Sequence, residues 1–345
     1  MKAFGKFDQP IAHLNDDELP EIAVLVAARN EENNIEKCLQ SLVAQNYPKE
    51  KISIFIGNDQ STDRTAALVD EFAERGSNIR QIHITTQLGK ARGKANVLAQ
   101  LAHHTHAAYF LITDADIETK TDWARTLVSF FRPHIGIVSG TTVVAGNGFS
   151  AAMQQTDWLY FMGLLLSFDK IGIASTAVGN NMAVKREAYF STGGYENFDF
   201  SVTEDHKLFQ QVRKKGWKTV NILTPRSVNL SAAAGNFKTL INQRKRWLTG
   251  AKELPFYWWL IFGIYGSFVP AVVILAFINI NLALLLYFTK LVIQSATITL
   301  QLRSLHLRSN KLHLLLYEAY TIAITLCTAL YFIIPVKLNW KNRYY

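Results

Sequence analysis

A chain of 345 residues is long enough for one large domain with an appendage, or for two modest domains. Its net charge of +9 is unevenly placed: residues 257–345 carry Lys290, Arg303, Arg308, Lys311, Lys337, Lys341 and Arg343 against Glu318 alone, so +6 lies there and +3 on residues 1–256. The basic excess flanks apolar segments, and no helix-turn-helix, zinc-finger or RNP pattern occurs, which argues against nucleic acid as a partner.

Residues 1–20 form an N-terminal extension without the apolar core of a secretory signal. Cys38 falls in a predicted helix and Cys327 inside an apolar span, so no disulfide is expected and nothing indicates an oxidising compartment. Residues 1–256 are therefore expected to stay in the cytosol. The apolar run 22–28 reads as a strand, and Ile35, Leu39, Leu42 and Val43 then recur at helical spacing. A second strand, 52–56, ends at Asn58-Asp59, and Ser61 or Thr62 can cap the helix that follows to about Arg75. Residues 79–84 and 108–113 supply two more strands. Strand and helix alternating through short connections predict an α/β domain with a mostly parallel sheet covered on both faces. Beyond residue 145 the alternation loosens, with an apolar helix at 150–168, a turn and strand at 178–184, a break at Gly193-Gly194 and a helix at 203–215.

Residues 236–256 mix apolar positions with Lys238, Arg244, Lys245, Arg246 and Lys252, the pattern of an amphipathic helix at a membrane surface. From Trp258 the chain turns strongly apolar. Spans are predicted at about 258–278, 282–302 and 314–336, with a turn at Asn279–Asn281 and a basic loop at Arg303–His313. Three spans place Lys337, Lys341 and Arg343 opposite the cytosolic domain, against the positive-inside tendency; a re-entrant or surface-lying first segment would leave two. Lys290 and Glu318 are intramembrane ionisable residues. Counted from the loop at 1.5 Å per residue they differ in depth by roughly 12 Å, so separate snorkelling is expected rather than an ion pair.

Four polar signatures carry the chemistry. Asp114-Ala115-Asp116 follows an apolar strand, and residues two apart in an extended segment point the same way, so both carboxylates can face one Mg²⁺ or Mn²⁺, while a solvated turn containing two Asp accounts for the same residues. Asp59 closes the second strand and can accept hydrogen bonds from a base or ribose, while its neighbours cap the next helix. Lys94, after Gly93, begins an apolar helix against the macrodipole; an anionic nucleotide would explain it, and a merely exposed lysine is the alternative. This is neither a P-loop nor a dinucleotide fingerprint. Thr203-Glu204-Asp205 starts a helix with Thr203 at the N-cap, where a carboxylate stays ionised and can act as a general base; capping alone explains the same residues. Gln243, Arg246 and Trp247 share one helical face, where an arginine can grip a departing diphosphate and an indole can face a sugar or lipid headgroup, although an interface helix with an anchoring Trp has the same composition. His103, His104 and His106 lack carboxylate or Cys partners nearby in sequence and are read as surface residues.

These residues, with Arg29-Asn30-Glu31-Glu32, Asp63, Gly179-Asn180-Asn181 and Gly193-Gly194-Tyr195, span residues 22–250 in an order that resembles glycosyltransferase family 2. The resemblance is to inverting enzymes of GT-A fold, in the membrane-attached branch that includes cellulose, hyaluronan and ceramide glucosyltransferase-like proteins. It implies a GT-A domain at 21–235 and a transmembrane region at 257–345. It also implies Glu31, Asp59, Lys94 and Asp114 at the nucleotide, Asp116 as the main ligand of a divalent metal, and Asp205 as base with Glu204 beside it. Gln243, Arg246 and Trp247 would line the diphosphate and acceptor end. Ala27 or Ala28 stands where the family often has proline, and Asn58 replaces a frequent aspartate.

The expected activity is transfer of a sugar from a nucleotide-sugar donor, a UDP-sugar by resemblance, to a hydroxyl of a lipid or membrane-linked glycan. The expected location is the plasma or inner membrane, with the catalytic domain cytoplasmic. A processive polysaccharide synthase is the enzymatic alternative. A non-catalytic membrane protein that binds nucleotide sugars is the alternative of another class.

Overall fold

The computed structural model describes residues 14–76, 78–173, 175–308, 310–334, 339–340 and 343–344. Residues 1–13 of the expected extension, the end of the third expected span at 335–336, Lys337 and Lys341 lie outside the described residues.

Strands β1 (Ile22–Ala28), β2 (Ile52–Asn58), β3 (Ile79–His83) and β4 (Tyr109–Asp114) form where the apolar runs predict them. The short β5 (Ile117–Glu118), β6 (Ile135–Ser139), β7 (Thr142–Ala145), β8 (Met182–Lys185), β9 (Lys218–Asn221) and β10 (Asn229–Ala232) follow. One sheet has the order β3-β2-β1-β4-β8-β6-β9, parallel except for β8, which runs antiparallel to both neighbours. A second, β5-β10-β7, lies beside it.

The period of two along β1 explains how both faces become core. Ile22, Val24 and Val26 point into one apolar cluster, and Ala23 and Leu25 into the other. Helices α1 (Ile35–Val43), α2 (Thr65–Glu74) and α4 (Trp123–Ser129) cover the first face through Leu39, Val69 and Trp123. Helices α3 (Lys94–His103), α6 (Arg186–Ser191) and α7 (Glu204–Lys214) cover the second through Leu101, Tyr189 and Leu208. The strands on which the site depends, β1, β2 and β4, are thus buried on both sides, so their C-terminal ends are held firmly.

The long helix α5 (Gly148–Lys170) joins this domain to the apolar segments. Helix α8 (Phe237–Gly250) leads to α9 (Phe256–Ile278), α10 (Ile280–Ser304) and α11 (Lys311–Ile333), and these last three are long and apolar enough to cross a membrane. Asn279 alone separates α9 from α10, and its side chain caps α10 by accepting from the Leu282 amide at 3.1 Å. Helix α9 is one continuous helix, and apolar side chains on it, such as Phe277 at 90 % exposure, face outward. Leu159 of α5 packs with Ile298 and Leu302 of α10 and Tyr317 of α11 in one apolar cluster. Gly163 permits this approach, since a Cβ there would lie 1.4 Å from Gln301 Nε2.

Lys290 and Glu318 are not separate. Their side chains form an ion pair, and Gln294 Nε2 donates to the same carboxylate oxygen of Glu318 at 3.1 Å. The sequence count fails because it assumes helices lying side by side and measures both from predicted loop ends. Helix α10 runs to Ser304, α11 begins at Lys311, and both pack on α5. Pairing also removes the cost of an isolated charge, because Glu318 is only 3 % exposed.

Candidate active site

The site occupies the C-terminal edge of β1, β2 and β4, where open α/β sheets present their ligands. The loops after β1 and β2 are stitched together. The Asn30 amide donates to Ser61 Oγ at 3.1 Å, the Thr62 amide to Asn30 Oδ1 at 2.9 Å, and the Glu31 amide to Thr65 Oγ1 at 2.7 Å. Neither Ser61 nor Thr62 therefore caps α2, contrary to the sequence expectation. The N-cap position falls on Arg64, which makes no side-chain capping bond, and Asp63 before it accepts from the Thr65 amide at 3.0 Å. Asn30 and Gln60 both adopt positive φ, 51° and 56°, a conformation uncommon for Gln and a form of strain concentrated at functional loops.

Asp59 is buried in this double loop. Arg29 Nη1 donates to its carbonyl at 2.7 Å and lies 3.9 Å from its carboxylate. Asn58, where an aspartate is frequent in the family resembled, is a scaffold residue: its Oδ1 accepts from the Ser61 amide at 3.0 Å.

Lys94, the first residue of α3, gathers the other loops. Its Nζ lies 2.6 Å from Asp114 Oδ1 at the end of β4 and 2.9 Å from Glu204 Oε1 at the start of α7. Burial opposes its charge, but the carboxylates of Asp114, Glu204 and Asp205 outweigh that cost and raise its pKa, so the ammonium is retained. The unfavourable macrodipole at a helix N-terminus is thereby offset within the chain itself.

Asp205 follows in the first turn of α7. Its Oδ2 accepts from the Gly179 amide at 2.8 Å and its Oδ1 from the His206 amide at 2.8 Å. Burial and then the adjacent Glu204 push its pKa up to about 6, partly opposed by Lys94. Thr203 does stand at the N-cap, but its hydroxyl faces Ser201 Oγ at 3.3 Å and makes no capping bond.

The turn 179–181 fixes Asp205 from below. Asn181 is fully buried: its Oδ1 accepts from Trp123 Nε1 at 2.9 Å, and its Nδ2 donates to the carbonyls of Thr141 at 2.9 Å and Ser227 at 2.8 Å. Asn180 Oδ1 accepts from Thr142 Oγ1 at 2.7 Å. Both asparagines tie the two sheets together, and the only sequence signal for this is their place directly after Gly179.

Asp116 departs from expectation in one respect. The strand ends at Asp114, and Asp116 is exposed in the turn between β4 and β5, so the two carboxylates do not share one extended face. Among the described residues no three His, Cys, Asp or Glu side chains are grouped to enclose a metal. The donor set nevertheless fits a hard cation completed by ligand phosphate and water, which needs only one or two protein carboxylates. Burial raises the pKa of the Cys38 thiol, and Asp116, Asp114 and Glu31 raise it further, so these three carboxylates crowd one sheet edge. The expected histidines are surface residues, with His103 Nε2 2.7 Å from Glu196 Oε1.

Gln243, Arg246 and Trp247 are partly buried on α8. This helix reaches the cluster at its C-terminal end, where a Cβ on Gly250 would lie 2.3 Å from Thr203 Cγ2, just before Glu204 and Asp205. Trp247 stacks at a tilt on Trp158 with centroids 4.9 Å apart, and the Arg244 guanidinium lies 4.5 Å from its ring centroid. Arg244, read from the sequence as a membrane-surface cation, instead pairs with Asp157 of α5 at 2.5 Å, and Asp157 accepts from Tyr317 Oη of α11 at 3.0 Å. Only the fold brings Asp157, Arg244 and Tyr317 together.

A mannosyltransferase of Pyrobaculum calidifontis, solved with GDP-Man and Mn²⁺, superposes with a TM-score of 0.61 at 19 % identity, covering 96 % of this chain and 92 % of its own. The shared fold is GT-A with helices following it. The β-monoglucosyldiacylglycerol synthase of Synechocystis sp. is 27 % identical over 250 residues, 70 % of this chain and 50 % of the relative. The poly-β-1,6-N-acetyl-D-glucosamine synthase of Staphylococcus aureus is 25 % identical over 244 residues, 70 % of this chain and 57 % of the relative. The chain thus spans about half the length of the curated relatives it matches. The family match runs over residues 9–345, nearly the whole sequence, and so includes the three apolar helices with the GT-A domain: the chain belongs to glycosyl transferase family 21.

Proposed function

We propose that this protein is a membrane-bound inverting glycosyltransferase that moves a sugar from a nucleotide-sugar, a UDP-sugar in our reading, to a hydroxyl of a lipid acceptor. The observation that carries the proposal is Asp205, a half-buried carboxylate aimed by the Gly179 and His206 amides and adjoining the Lys94–Asp114–Glu204 cluster. Family membership and the diacylglycerol-glucosylating relative support it.

In this reading Glu31, Asp59 and Asp114 face the nucleotide, and Lys94 holds Asp114 and Glu204 in place while offering positive charge to the donor. The acceptor oxygen attacks the anomeric carbon as the bond from that carbon to the diphosphate breaks, and the acceptor proton passes to Asp205. A single displacement of this kind inverts the anomeric centre. Arg246 and Gln243 meet the leaving diphosphate, and Trp247 lines the acceptor end. Asp116 would hold a Mg²⁺ or Mn²⁺ ion, which when bound supplies charge neutralisation to the diphosphate. The catalytic domain lies on the cytoplasmic side of the plasma or inner membrane.

The staphylococcal relative makes a polymer, so product size is part of the test. Detergent-purified protein is incubated with a panel of labelled UDP-sugars and a membrane lipid extract. Lipid-dependent UDP release that requires a divalent metal, with label in a small glycolipid, is the expected result. A long polymer would replace the lipid acceptor with the processive alternative, and UDP binding without release from any donor would overturn the enzymatic reading.

A further inference from the structure

A cleft of about 330 Å³ opens on the side of α7 facing away from Lys94, between that helix and the segment 253–257 that leads into α9. Its volume is in the range of small-ligand sites, roughly 300–1,000 Å³. Phe209, Leu254 and Pro255 give it an apolar floor, and Tyr257 forms the wall nearest the apolar helices. Arg213 and Lys214, both exposed, line its open side. We propose that this cleft binds the headgroup of an anionic phospholipid, with the phosphate between Arg213 and Lys214 and the glycerol end over Leu254, Pro255 and Tyr257.

Three observations support that occupant. The first is height. Leu254 and Pro255 directly precede Phe256, which begins α9 and is 75 % exposed, and Trp259 and Tyr257 are also exposed. Aromatic side chains at the end of an apolar helix mark headgroup depth, so the cleft opens where a phosphate group lies.

The second is charge. Glu253 is the one carboxylate lining the cleft, and it lies 3.4 Å from Lys207 Nζ, which balances it. Arg213 spends one hydrogen bond on Thr219 Oγ1 at 3.3 Å and stands 5.9 Å from the Phe209 ring centroid, within electrostatic reach of the half-buried Asp169. With Lys207 paired to Glu253 and Asp169 offsetting part of the Arg213 charge, Arg213 and Lys214 still leave the opening net positive. A zwitterionic choline headgroup would bring its own cation against them, whereas phosphatidylglycerol would not.

The third is a fixed wall. Gln210 Nε2 donates to the Glu253 carbonyl at 2.8 Å and stands 2.7 Å from His206 Nε2, while His206 Nδ1 is 2.9 Å from Thr176 Oγ1. Burial lowers the His206 pKa to about 4, so the imidazole is neutral and its tautomer is set by these partners. The cleft is thus preformed, and a headgroup in it would brace the helix whose first turn carries Asp205.

The test uses the full chain in nanodiscs of phosphatidylcholine with about one third phosphatidylglycerol, released into native mass spectrometry. Wild type is expected to retain one phosphatidylglycerol and exclude phosphatidylcholine. The double variant Arg213→Gln/Lys214→Gln is expected to lose roughly 10- to 30-fold in retention, the size that two interfacial cations contribute. The charge-preserving exchange Arg213→Lys/Lys214→Arg should restore it, with helix content and UDP binding equal in all three proteins. Equal retention by wild type and the double variant, or equal retention of the two lipids, would overturn the proposal. So would full displacement of the lipid by millimolar inorganic phosphate, which would make this a free-phosphate site.

Discussion

Gly179→Ala should disable the reaction without removing any reactive group. A Cβ at residue 179 would stand 2.7 Å from Asp205 Cβ, 2.8 Å from Oδ2 and 3.0 Å from Cγ. Non-bonded carbons rest at about 3.5–4.0 Å, so relief of the clash moves Asp205 by close to 1 Å. The near atom is the Cβ of Asp205, which cannot swing aside as a side-chain tip can. A displacement of about 1 Å at a reacting group costs about 100-fold in kcat, or roughly 2.7 kcal/mol of barrier. Overpacking adds about 1–3 kcal/mol of lost stability. The assay is single-turnover transfer at saturating donor, with donor affinity measured by calorimetry and folding by thermal melt. Gly235→Ala is the control, because a Cβ there meets nothing within 4 Å. A Gly179→Ala protein with kcat within threefold of wild type would refute the claim that the Gly179 amide aims the base.

The pKa of Asp205 near 6 predicts that kcat/KM falls tenfold per pH unit below about pH 6, as the base takes up its proton before the acceptor can give one. Glu204→Gln removes a charge that raises this pKa and should move the acid limb to lower pH, whereas Lys94→Met removes one that lowers it and should move the limb upward; limbs that do not move would break the link. Asp157→Ala leaves Arg244 without its carboxylate beneath Trp247, so acceptor KM should rise with donor KM unchanged, and a melt should report a loss of about 3 kcal/mol. Lys290→Met leaves Glu318 buried beside Gln294 alone and should destabilise the detergent-solubilised protein by a similar amount, while adding Glu318→Gln should recover most of the loss in a double-mutant cycle.

Much of this was legible in the residues, for identifiable reasons. The runs at 22–28 and 108–113 are apolar on both faces, and a central parallel strand is nearly the only soluble element that asks for that, so β1 and β4 appear within a residue of their expected positions. The order of the polar motifs, read with the family resemblance, pointed to Asp59, Lys94, Asp114 and Asp205 as one site, and the fold brings Lys94 against Asp114 and Glu204. Other features depend on partners distant in sequence. Neither Ser61 nor Thr62 caps α2, because the loop after β1 claims both. Asp116 sits in a turn because β4 stops at Asp114 before β5 begins. Lys290 reaches Glu318 because both helices pack on α5, which no depth count along the chain contains.

The most direct test of the central claim is the anomeric configuration of the product. Purified protein, a ¹³C-labelled α-linked UDP-sugar and lipid extract are incubated, and the extracted glycolipid is read by NMR. Single displacement with Asp205 as base predicts a β-linked product, absent with Asp205→Asn. An α-linked product, or an undiminished yield from Asp205→Asn, would contradict the mechanism.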